Sequence, residues 1–131
     1  MMRVTLRIAV VLATAAFAGA SCSEDNPRSE AAYCGQVAEY LDELNSPAIA
    51  TATDIGPVLA AWRSIASSTP VAIEAEWTTM VEAIETAITV DPKDPDSLQK
   101  VADTARASEP AAKRVVSYTQ ERCGITIGVA P

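Results

Sequence analysis

Residues 94–124 read DPDSLQKVADTARASEPAAKRVVSYTQERCG, and this stretch carries a helix start, a helical stripe and a helix stop. The start has two candidate forms. Asp94 can cap with Pro95 behind it, or Asp96 can cap with Gln99 completing a capping box. Leu98, Val101, Ala102, Ala105, Ala112, Val115, Val116 and Thr119 then recur on one face as far as Cys123, the spacing of an amphipathic helix. Pro110 lies inside the run, so the helix is expected to kink there or split near Ser108. Gly124 suits a left-handed C-terminal cap, with Ile125 packing back on the last turn. Beyond it, Ile125 to Pro131 is too short for a domain of its own.

Three more helical stretches lie upstream. Ile73, Trp77, Met80, Ile84, Ala87 and Ile88 form one stripe with Val81 beside it, and Thr69-Pro70 supplies a cap and a first residue. Before that, Ile55, Val58, Leu59, Trp62, Ile65 and Ala66 form another, with Asp54 as cap and Gly56-Pro57 in the opening turn. Pro47 to Thr53 has no period and reads as a loop. The first stripe is Tyr33, Val37, Tyr40, Leu41 and Leu44, with Asn26 or Ser29 as cap, Pro27 in a first turn and Asn45-Ser46-Pro47 as its end. No stretch reads convincingly as a strand and no repeat recurs. The fold class predicted is all-α: a compact bundle of about four amphipathic helices. Alanines on the inner stripes are expected to let the helices approach closely.

The N-terminus carries a different signal. Arg3 and Arg7 precede the uncharged run Ile8 to Ser21, which ends in Ala18-Gly19-Ala20-Ser21-Cys22. That run is shorter than the ~20 apolar residues of a membrane-crossing helix. Basic start, short apolar middle and small-residue end make residues 1–21 a signal peptide. Its end resembles a lipobox, in which the Cys is lipidated and becomes the new N-terminus. Gly19 departs from that pattern, where Leu is usual, and the alternative is an ordinary signal peptide cut after Ala18 or Ala20 that leaves a soluble secreted protein. The lipobox reading places a diacylglyceryl thioether on Cys22, with palmitate-type chains holding the protein to the outer face of the cell membrane. Residues 22–28 then form a lipidated Cys and polar tether, and 29–131 the helical domain.

Cysteine number supports this division. The chain has three Cys, and an odd one in an oxidising compartment needs its own explanation. With Cys22 lipidated, Cys34 and Cys123 remain as a pair near the two ends of the domain. A bridge between them would close a loop of about 90 residues, worth roughly 4–5 kcal/mol by chain entropy.

Composition narrows the function classes. Residues 22–131 lose Arg3 and Arg7 with the leader, keeping eight of the ten Lys and Arg against all 17 Asp and Glu, a net charge of −9. Such a surface repels phosphate backbones, which excludes nucleic acid and any anionic lipid surface contacted through basic residues. There is no His, so the commonest general base and metal ligand is missing. Asp91, Asp94 and Asp96 suggest calcium, but the Gly and Glu that an EF-hand loop requires are absent from both registers, so turn and cap is the better reading. Glu74 and Glu76 beside Trp77 suggest a sugar-cleaving acid pair. Two positions apart on a helix, they point roughly 200° from each other. The residues predict no catalytic or metal site, no enzyme activity and no cofactor.

Tyr33-Cys34 opening a helix, Glu76-Trp77, and Tyr118 followed by Cys123-Gly124-Ile125 resemble a set of small actinobacterial lipoproteins with acidic, Ala-rich helical domains. The resemblance covers nearly all of the chain after the leader. It implies the same envelope location and a Cys34–Cys123 bridge, and it brings no activity with it.

Trp62, Trp77, Tyr33, Tyr40 and Tyr118 are read as core, the Tyr hydroxyls reaching the surface. If the bundle holds a cavity, these five rings together with Met80 are its expected lining. Two functions follow. The first is a membrane-tethered binding or structural module whose partner is another envelope protein. The alternative is a carrier of a small apolar ligand or lipid within the bundle.

Overall fold

The computed structural model describes residues 26–45 and 54–128, so the leader, Cys22 and the 47–53 loop reading lie outside the described residues. The described chain is all helical: α1 Glu30–Glu39, α2 Leu41–Asn45, α3 Ile55–Ser67, a 3-10 turn Val71–Ile73, α4 Glu74–Ile88 and α5 Pro95–Cys123.

The ends of α5 follow local chemistry. Asp94 accepts a hydrogen bond from the Asp96 N–H with Pro95 behind it, so the first of the two capping forms is the one adopted. At the other end Gly124 takes φ 65°, the left-handed cap that L side chains avoid. Between them α5 neither splits at Ser108 nor stops at Pro110, and runs unbroken for 29 residues, ~43 Å of axis. Pro110 is exposed, on the rim of an open recess that α5 shares with α4.

The start of the bundle differs from the sequence expectation. The first stripe is two helices and not one, because Tyr40 leaves helical geometry at φ −103°, ψ 23°. Tyr40 N–H still bonds to Gln36 C=O and Leu44 N–H to Tyr40 C=O across the turn. The turn brings Asn45 against the C-terminal tail, where its Oδ1 accepts from Gly128 N–H at 2.9 Å. Ser29 is the N-cap of α1, accepting from Ala32 N–H, and Pro27 lies before the helix.

Thr69 does not cap α4. Its hydroxyl donates back to Ile65 C=O at 3.0 Å and its side chain is fully buried, so it closes α3. Pro70 is extended, and one 3-10 turn intervenes before α4 starts at Glu74.

α4 is the centre of the bundle and packs against α3 on one flank and α5 on the other, while α1 packs on both α3 and α5. The core is Tyr33, Val37, Ile65, Ile73, Trp77, Met80, Val115 and Ile127. Ile127 belongs to the tail after Gly124, too short for a domain of its own yet part of this core. Cys34 and Cys123 form the disulfide, Cα atoms 5.4 Å apart, within the usual bridging range. The fold is a compact helical bundle closed by one disulfide.

Candidate functional site

Four of the five aromatics meet. Trp77 lies edge-to-face with Tyr33 at 6.3 Å and with Trp62 at 5.8 Å, and Tyr33 with Tyr118 at 6.0 Å. Such pairs add roughly 0.5–1.5 kcal/mol beyond burial. Tyr40 packs on the core at the α1–α2 break and joins no ring pair among the described residues. Tyr118 carries the Arg122 guanidinium 5.8 Å above its ring.

The expectation that all the Tyr hydroxyls reach the surface fails at Tyr33, which is wholly buried. Its hydroxyl lies 2.6 Å from Thr119 Oγ1 and accepts from Trp77 Nε1 at 3.2 Å. Thr119 uses its own hydrogen on Val115 C=O. The chain therefore has one direction: Trp77 donates to Tyr33, Tyr33 to Thr119, and Thr119 to the α5 backbone. Burial raises the Tyr33 phenol above its ordinary value, against the lowering effect of the two side-chain bonds.

The carboxylates do not converge. Glu74 pairs with Arg28 at 2.9 Å and Glu76 with Arg114 at 2.8 Å, on separate sides of α4. Asp91 and Asp94 accept from the Lys93 and Asp96 N–H groups, the turn-and-cap arrangement.

What the helices do leave is a groove. α3 and α5 flank α4 and scarcely meet each other. α1 fills part of the gap with Tyr33 and Val37, but its ten residues span only ~15 Å. Past α1 no described residue fills the gap. One lobe, about 180 Å³, is lined by Trp62, Met80, Ala83, Ile84, Ala105 and Ala112, with Ser108. A second, about 210 Å³, shares Trp62, Met80 and Ala112 and adds Leu44, Val116, Ile127 and Gly128. Among the described residues, no charged side chain lines either lobe. Each is comparable to the 150 Å³ engineered cavity that admits a benzene ring. The α5 alanines, expected to bring helices together, do so toward α4, whereas Ala105 and Ala112 leave this side unfilled.

A wider recess of about 330 Å³ lies on the other face of α4–α5, between Ala75, Thr79, Ala107 and Ala111. It opens broadly to solvent and is crossed by the Glu76–Arg114 ion pair, so it offers less enclosure than the groove.

Trp62 and Met80 stand in the groove as expected of a cavity, but Trp77, Tyr33, Tyr40 and Tyr118 do not line it. Sequence reasoning missed Leu44 and Ile127, because the break at Tyr40 and the folding back of the tail place them there. Trp62 also has one feature no periodicity could reveal. Its Nε1 is buried and has no hydrogen-bond partner among the described residues.

No protein family, curated protein or solved structure matches this chain.

Proposed function

We propose that this is a lipid-anchored protein of the cell envelope that acts by binding, and that it carries a small apolar ligand in the groove between α3 and α5. The observation that carries this reading is the groove itself: two adjoining lobes, meeting at Trp62 and Met80, with no charged lining residue among the described residues. The alternative of a pure protein-docking module is less well supported. A specific protein interface buries at least about 1,000 Å², whereas lobes of this size suit a ring or a narrow chain. The envelope location rests on the leader and Cys22, and the disulfide fits an oxidising compartment.

The ligand is tested by extracting protein purified from its own cells with organic solvent and analysing the extract by mass spectrometry. An apolar molecule should be recovered from the native protein and lost from an Ala112→Trp variant, whose added ring fills the space common to both lobes. Identical extracts from the two proteins would reject the carrier. The anchor is tested by fractionation: Cys22→Ala should move the protein from the membrane pellet to the soluble fraction. Retention in the pellet would reject lipidation at Cys22.

A further inference from the structure

A buried, unpaired N–H is costly, and native proteins leave few of them. In this bundle the other core indole is satisfied, since Trp77 Nε1 donates to Tyr33. Trp62 Nε1 is the exception, and Trp62 stands where both lobes of the groove meet. The other hydrogen-bonding side chain there, Ser108, is engaged with Ala105 C=O. As the side chain stands the N–H is shielded from the lobes, so pairing with a bound molecule requires the indole to turn within their free volume.

From this we infer that the ligand is an apolar chain interrupted by an uncharged hydrogen-bond acceptor, such as an ester or ketone oxygen, which pairs with Trp62 Nε1 while its two arms occupy the two lobes. The inference rests on the carrier reading above and deepens it. A carboxylate is disfavoured at the same point, because no cation among the described residues lines the groove to offset its desolvation.

The test uses the chain from residue 22 onward, which contains every described residue, with Cys22→Ser so that no detergent competes for the groove. Butyl butanoate is the probe, and n-nonane, equal in chain atoms, is its control. In the ¹⁵N-labelled protein the two indole N–H resonances are assigned by the one missing in Trp62→Phe. The ester should move the Trp62 indole proton downfield, and nonane should bind without that shift. Trp62→Phe should weaken the ester about tenfold and leave nonane little changed. If both probes bind but the Trp62 proton ignores the ester, or Trp62→Phe weakens the two equally, the acceptor is wrong and the carrier stands. A Trp62 proton shifted upfield in every sample would place the N–H on the Trp77 ring face, which also overturns the acceptor. If neither probe binds, the carrier reading itself falls.

Discussion

Tyr33 shows what one buried hydroxyl does when each of its partners is committed elsewhere. Replacing it with Phe keeps the ring and its two edge-to-face contacts but strands Trp77 Nε1, which has no other partner among the described residues. Tyr33→Phe should therefore lower the unfolding free energy by about 1–3 kcal/mol at pH 8, read from urea denaturation. An unchanged stability would mean that Trp77 finds another acceptor. The same residue gives a pH dependence of known sign. Its phenol is raised in the folded state by burial, while the unfolded chain titrates near pH ~10. Below that pH both states hold the proton. Above it the unfolded state loses its proton first, so stability drains away as pH rises toward the folded value. The advantage of the native protein over Tyr33→Phe should shrink between pH 8 and pH 11, and a constant gap would contradict the assignment. The core position of Tyr33 was legible from its spacing to Val37. Its hydroxyl partner was not, because Thr119 is 86 residues away and nothing local announces a bond of that reach.

Helix ends in this chain obey local rules, and that is why they could be read in advance: Ser29, Asp94 and Gly124 each act through atoms within a few residues. The departures all come from tertiary packing. Tyr40 breaks the first stripe where the chain turns to put Leu44 in the groove and Asn45 on the tail. Thr69 abandons the capping role because its buried hydroxyl is already held by Ile65 C=O. Pro110 is the converse case, a strong local breaker overruled by the packing of α5 along α4. Its missing N–H still leaves the Arg106 C=O without an intrahelical donor, and its ring crowds that carbonyl. Pro110→Ala should therefore stabilise the domain by about 1–3 kcal/mol, seen as a higher melting temperature with native-like spectra. A fall in melting temperature would mean that Pro110 restrains the unfolded chain more than it strains the helix. Gly124→Ala should act the other way, costing roughly 1–2 kcal/mol at a backbone angle that L residues avoid. The groove belongs with the unreadable part. It exists because α1 is too short to fill the space between two helices that periodicity alone would have packed together.

At the scale of the whole molecule the disulfide and the core act on the same seam. Tyr33 and Cys34 are neighbours on α1, Thr119 and Cys123 lie one turn apart on α5, and both pairs join across the same helix interface. Few other residues hold α1, since Tyr33 and Val37 are its buried side chains, and the surface carries a large excess of negative charge that disfavours compactness. The bridge closes 89 residues of separation. By chain entropy that is worth about 4–5 kcal/mol, a large fraction of the ~5–15 kcal/mol that keeps a domain folded. Reduction should lower the melting temperature by about 20 °C or more, and more steeply at low salt, where carboxylate repulsion is unscreened. Hydrogen exchange should separate two ways this can happen. If the bridge acts mainly on the seam, α1 amides lose protection on reduction while α4 and the second half of α5, which surround Trp77, stay slow. If all five helices lose protection together, the bridge stabilises the bundle as one cooperative unit by confining its unfolded chain. A reduced protein with an unchanged melting temperature would contradict both, and would mean that the core around Trp77 holds α1 without covalent help.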